Sequence, residues 1–305
     1  MDSLPYLFCD AVWGTVSELY RIDYQLDSAD HPRLRLWKSS LDHHASYRHG
    51  FSLSIGFRDG NWSYTIKSNR PEYDDDDSEE NDDPVERQDS LTIIEFKQVE
   101  TKFLQFSNVS IDWYTEDHSS NLQEIDGILR YTAPLMNLPH LSLRNAEIEE
   151  GNLSTMLSYF KNVQFSVLEV KHYRKCYEAF LTSPLQNGMM KKLVINGKGW
   201  SNDLQPKVEK FLLERPFQLA DFRDNGLVFD RQFCEKLFKL RVLEEEQLFF
   251  GACSLNLAEL KKAKKATWSA VIFNIKNRIN WQRKDGVTVT AGNYINDQWM
   301  MSWNI

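Results

Sequence analysis

Long apolar runs are missing from this chain of 305 residues, and no stretch approaches the roughly 18 apolar residues that a membrane-spanning helix requires. The opening residues MDSLPYLFCD lack both a basic cluster and an extended apolar segment, so no secretory leader and no membrane association are expected. Cysteine is scarce: Cys9, Cys176, Cys234 and Cys253 lie far apart with no C-x-x-C pair. That excludes a dense disulfide framework and predicts reduced, mostly buried thiols in the cytosol or nucleus. In such a compartment the N-x-S sequons at Asn61, Asn108 and Asn152 carry no glycan. Positive charge is in deficit, with 36 Lys and Arg against 44 Asp and Glu and a net charge of −8. A general nucleic-acid binder gains its affinity by neutralising phosphates, so this balance argues against nucleic acid as a partner.

Catalytic signatures are missing as well. No G-x-G-x-x-G, P-loop, G-x-S-x-G or H-E-x-x-H occurs. The segment Ile195-Asn196-Gly197-Lys198-Gly199-Trp200 places two glycines after an apolar run, where a backbone could approach a phosphate. The third glycine is absent and Trp200 is bulky, so a turn between structural repeats is expected instead. His31, His43, His44 and His49, even with Cys9 added, lack the tight spacing of a structural zinc site. His43 and His44 would point about 100° apart on a helix. Glu149-Glu150 and Glu244 to Glu246 are ordinary for an acidic chain and give no acid–base signal. Cys176 and Cys234 fall on or near apolar helix faces, where structural thiols are the norm. The basic knot Lys261, Lys262, Lys264 and Lys265 suits a helix C-terminal end, or else a contact for acidic residues. No catalytic residue, cofactor or metal is therefore expected, and the chain reads as a binding protein rather than an enzyme.

What is present is patterned. Leu4, Phe8, Val12, Val16 and Leu19 recur at helical spacing, and Leu34, Trp37, Leu41 and Ala45 form a second stripe after Pro32. The period then changes to two. Phe51, Leu53, Ile55 and Phe57 alternate up to Asp59-Gly60-Asn61, and Trp62, Tyr64 and Ile66 alternate on the return, which predicts a β-hairpin. Eight acidic residues crowd into Asp74–Asp83 between Pro71 and Pro84; like charges at that density bury nothing, so residues 70–90 are expected to form a disordered loop. Strand-like runs follow at Leu91–Phe96 and Phe103–Ile111.

From residue 138 onward a pattern Φ-x-x-Φ-x-Φ recurs about every 26 residues. It appears as Leu138/Leu141/Leu143, Phe165/Leu168/Val170 and Met190/Leu193/Ile195, then more loosely as Phe217/Leu219/Phe222. Helix-period stretches follow each. Asn152 is the expected cap of Leu153, Met156, Leu157 and Phe160; Tyr177, Phe180 and Leu181 come next, then Leu204, Val208, Phe211 and Leu212. Asp230 is the expected cap of Phe233, Leu237 and Phe238, and an earlier stripe, Leu122/Ile125/Leu129, precedes the series. A strand–helix unit of about 20–29 residues is the period of leucine-rich repeats. The expected fold is α/β: a short N-terminal helical segment, then an irregular leucine-rich-repeat-like solenoid with hairpins at both ends. An ordinary α/β layer domain with coincidental spacing is the alternative. Ile279 and Trp281 before Lys284-Asp285-Gly286, with Val287 and Val289 after it, predict the second hairpin, which would cap the array.

The residues Ser3-Leu4-Pro5, the apolar stripe to Leu19, and Leu34-x-x-Trp37 resemble an F-box over residues 2–48. The blocks MDSLPYLFCDAVWGTVSEL, HPRLRLWKSSL, FSLSIGFRDGNWSY and INGKGWS are similar to segments of the expanded nematode F-box proteins, which join a divergent F-box to a repeat-like associated domain. The resemblance implies a substrate receptor of a Skp1–cullin–F-box ubiquitin ligase. Leu4, Pro5, Phe8, Val12 and Trp37 would contact the Skp1-like adaptor, and residues 49–305 would hold a target protein. A variant within that family neutralises or degrades a toxin; a receptor that sequesters its partner without ubiquitin is the alternative. On the residues alone, the same apolar side chains equally serve to pack two helices against the hairpin.

Overall fold

The computed structural model describes residues 49–68, 90–98, 104–112, 118–144, 147–187, 189–237 and 247–254, and the strands Asn274–Ile275, Arg278–Gln282, Thr288–Asn293 and Gln298–Asn304. The F-box-like segment 2–48 and the acidic run lie outside the described residues, as do Phe238 and the lysine knot. The fold is α/β, with open sheet of mixed strand direction, and it divides into two compact units between Pro139 and His140.

In the first unit β1 (His49–Arg58) and β2 (Asn61–Ser68) form the expected hairpin, with Arg58 opposite Asn61. Its turn is the two residues Asp59 and Gly60, with φ of 50° and 82°. Positive φ at both positions is the primed geometry whose twist matches that of the flanking strands. Asn61 thus opens β2 rather than sitting in the turn. Phe51, Leu53, Ile55, Trp62, Tyr64 and Ile66 are buried, and Ser63 and Thr65 between them are buried too, so both faces of β2 are covered. β3 (Leu104–Asp112) runs parallel to β1, and β4 (His118–Ser120) pairs antiparallel with β2.

Residues Leu91–Phe96 do not form a strand. Leu91 makes one antiparallel bridge to Ile66, and the chain then enters a helix, α1 (Ile93–Gln98). The cause is a capping box. The Glu95 amide donates to Thr92 Oγ1 at 3.2 Å, and Glu95 Oε2 accepts from the Thr92 amide at 2.8 Å. This reciprocal pair satisfies two otherwise unpaired donors and outweighs the strand preference of Ile93 and Ile94. Phe96 then drops into an aromatic cluster, its ring 5.1 Å from Phe51 and 5.3 Å from Phe106. α2 (Leu122–Thr132) buries Ile125, Ile128 and Leu129, with Asn121 Oδ1 accepting from the Glu124 amide at 3.0 Å. Leu122, read as part of its stripe, is exposed.

β5 (Met136–Leu143) carries the chain across the division. From His140 onward the second unit repeats one theme. β6 (Val167–Val170), β7 (Lys192–Ile195), β8 (Leu219–Asp221) and β10 (Gln247–Cys253) continue a parallel ladder in chain order. Between them come α3 (Glu150–Tyr159), α4 (Lys175–Asn187) and α5 (Leu204–Glu214), then β9 (Val228–Phe229) and α6 (Arg231–Leu237). Each of these helices packs on the next. His140, Val167, Lys192, Leu219 and Leu248 are successive partners, so the repeat advances by 25 to 29 residues.

One face of this ladder is core. Leu141, Leu168, Leu193, Ala220 and Phe249 form one fully buried row; Leu143, Val170, Ile195 and Phe222 lie in the next. In the fourth unit Ala220, not Leu219, takes the inward position, because strand alternation turns Leu219 to the opposite face. Leu138 is likewise not core: it is half-buried with φ of 48°. Asn152 does not cap α3 either. That helix starts at Glu150, its N-cap residue Glu149 makes no side-chain cap bond, and Asn152 sits within the first turn. Among the described residues the other stripes fall on the helices observed, including the one after Asp230, whose Oδ1 accepts from the Phe233 amide at 2.7 Å.

β10 was not legible as a strand. Its sequence Gln-Leu-Phe-Phe-Gly-Ala-Cys is apolar at almost every position, yet its burial alternates strictly. Beyond it β14 (Gln298–Asn304), β13 (Thr288–Asn293), β12 (Arg278–Gln282) and β11 (Asn274–Ile275) form an antiparallel meander. The expected C-terminal hairpin is the β12–β13 pair, in which Gln282 faces Thr288. No helix among the described residues is long and apolar enough to cross a membrane.

Candidate partner-binding face

Strand alternation turns the remaining residues of the parallel ladder to the face opposite the core. His140, Val167, Lys192, Leu219 and Leu248 form its first row, and Ser142, Glu169, Val194, Asp221 and Phe250 its second. Arg144, Lys171 and Arg223 lie on the same face two residues further on, as their contacts with the second row show.

Glu169 is the hub of one end. Its carboxylate lies 3.6 Å from His140 Nε2, 3.4 Å from Arg144 Nη2 and 3.7 Å from Lys171 Nζ. Arg144 Nε also donates to Ser142 Oγ at 2.8 Å. Burial pushes the His140 imidazole below the ordinary histidine range; Glu169 opposes this, while Arg144, Lys192 and Lys171 add to it.

The other end is anchored by Asp221, which is buried. Arg223 Nε donates to Asp221 Oδ1 at 2.9 Å and Arg223 Nη2 to Asp221 Oδ2 at 2.5 Å, a bidentate pair. The Arg223 guanidinium carbon stands 4.9 Å from the centre of the Phe250 ring. Arg and aromatic side chains held rigid in this way are typical anchors at protein interfaces.

The repeats are also tied edge to edge. Glu150 Oε1 of α3 accepts from the Cys176 amide at 2.5 Å, and Glu178 Oε2 of α4 accepts from the Ser201 amide at 3.3 Å. Gln205 of α5 donates to the Val228 carbonyl at 3.0 Å. A polar side chain in the first turn of one helix thus reaches the start of the next unit, three times in succession. Glu150, Glu178 and Gln205 recur at nearly the repeat spacing, which is the signal that reading Glu149-Glu150 as ordinary charge overlooked.

Gly197 and Gly199 serve packing. Both have positive φ, and a Cβ on Gly197 would stand 2.8 Å from the backbone nitrogen of Tyr173 in the preceding loop. Trp200 packs edge-on to Tyr173 at 5.2 Å and donates from Nε1 to the Asn196 carbonyl at 3.1 Å. The thiols are shielded. Burial, then Glu150, pushes Cys176 up to about 12. Cys234 and Cys253 are buried, and Cys253 is raised by its contact with Cys234 and by burial.

Leu4, Pro5, Phe8, Val12 and Trp37 lie outside the described residues, as do Cys9, His31, His43 and His44. Among the described residues no group of three or more His, Cys, Asp or Glu side chains could hold a metal ion. No family model matches the chain, and no curated protein or solved structure matches it.

Proposed function

We propose that this chain is a non-catalytic substrate receptor of the F-box type. Its N-terminal segment, through Leu4, Pro5, Phe8, Val12 and Trp37, docks on a Skp1-like adaptor. The outer face of β5 to β8 and β10 holds the target protein, and partner subunits of a ubiquitin ligase supply the chemistry. One observation carries the target-holding half: parallel strands paired in chain order at a step of 25 to 29 residues, with a charged and aromatic outer face. That step supports a leucine-rich-repeat-like array, whose sheet face is a common binding surface. The resemblance of residues 2–48 to an F-box supports the docking half.

The test is co-purification of the full chain with a Skp1-like adaptor. The wild-type chain is expected to form a stoichiometric complex, and the combined substitution Leu4→Ala, Pro5→Ala and Phe8→Ala to abolish it. If the intact chain captures a target but no adaptor, the receptor reading fails and sequestration without ubiquitin takes its place.

A further inference from the structure

Among the described residues the outer face has more positive charge than its acids can balance, on a chain whose net charge is −8. Arg144, Lys171, Lys192 and Arg223 stand there against two carboxylates, Glu169 and Asp221. Asp221 is taken up by its bidentate pair with Arg223. Glu169 is shared by Arg144 and Lys171 at 3.4 and 3.7 Å, and one carboxylate cannot neutralise both. Lys192 is exposed and makes no side-chain hydrogen bond or ion pair among the described residues. His140 adds no negative charge, and among the described residues its buried Nε2 has no hydrogen-bond partner. Between the cations lie the half-buried apolar side chains Leu219 and Phe250, and the buried Val194.

We infer that this face recognises an acidic peptide segment of the partner, seating carboxylates at Lys192 and Lys171. By register the two lysines stand four strand positions apart along the ladder, about 13 Å at the usual strand rise. That is the separation of residues i and i+4 in an extended peptide, so the recognised pattern is acid-x-x-x-acid. A polynucleotide fits less well. The surplus is about two charges on an acidic chain, whereas nucleic-acid affinity rests on neutralising many phosphates. This inference rests on the outer face being the target-holding surface.

The experiment is fluorescence anisotropy on the full chain with a labelled peptide Gly-Ser-Glu-Ser-Val-Ser-Glu-Ser-Gly. Its controls are the same peptide with Lys for Glu and a fifteen-residue oligothymidylate. The acidic peptide is expected to bind best, and to bind more weakly as salt rises. Lys171→Glu with Lys192→Glu should weaken it about tenfold or more, because both contacts become repulsive. Glu169→Gln removes the competing carboxylate and should tighten binding, a gain that misfolding cannot mimic. Equal or tighter binding of the lysine peptide or the oligonucleotide overturns the inference. So does an unchanged affinity in the double charge reversal. Adaptor co-purification in the same preparations separates the two readings. Adaptor bound without the acidic peptide overturns only this inference, whereas peptide bound without adaptor supports it and overturns the receptor reading.

Discussion

A methyl group added at Gly197 would meet the Tyr173 backbone nitrogen at 2.8 Å and the His172 Cα at 3.0 Å, at a φ of +83°. Backbone cannot move aside as a side-chain tip can. Gly197→Ala is therefore expected to lower the unfolding free energy by about 2 kcal/mol or more in urea denaturation. Gly60→Ala, at a similar φ of +82° but with nothing within 4 Å, should cost only about 1 kcal/mol. Equal losses at the two sites would refute the close-approach explanation. His140 gives a pH dependence of definite sign. Its folded pKa lies below the unfolded one, so the unfolded chain binds the proton more readily. The contribution to stability is fully present above the ordinary histidine pKa of about 6.5 and is lost as pH falls through that value toward the folded pKa. His140→Gln should flatten stability against pH as the pH falls below the ordinary histidine pKa of about 6.5. A profile as steep as that of the wild type would assign the effect to other groups.

At the scale of elements, the second unit is held by more than its apolar faces. The starts of α4 and α5 are each served by the helix before them, as Glu178 serves Ser201. Capping and charge-assisted bonds of this kind contribute about 1–2 kcal/mol. Glu178→Ala should cost that much and remove hydrogen-exchange protection from the amides that open α5. Loss of protection spread evenly over the unit would mean that Glu178 does not act at that junction. The same scale explains α1. A four-residue capping box redirected a β-prone segment into a helix, because its two bonds are local and cost little chain entropy to close.

For the second unit taken whole, the parallel ladder has an edge problem, which the C-terminal meander answers. β10 pairs with β8 and β9 on one side and with β14 on the other, with Phe249 opposite Met301. Without β14 a row of backbone donors and acceptors from Leu248 to Ala252 would face solvent, a template for pairing with another chain. Deleting residues 274–305 is expected to give concentration-dependent self-association by light scattering. A truncated chain that stays monodisperse would show that the meander does not protect this edge.

Sequence periodicity alone determined the first hairpin, the strands from β5 to β8, most helical stripes and the C-terminal hairpin, because a face that must be buried leaves a period of two or 3.6. It also specified the Asp230 cap, whose partner is three residues away. Three features were decided by tertiary structure. β10 is apolar after Gln247, so only its neighbours determine which side chains turn inward. The exchange of Leu219 for Ala220 in the core follows from register with β7, which no local pattern encodes. The outer face is assembled from side chains about 25 residues apart: Arg144 meets Glu169, and Arg223 meets Phe250, only once parallel strands lie side by side. Its cationic surplus is therefore invisible in a sequence whose overall charge has the opposite sign.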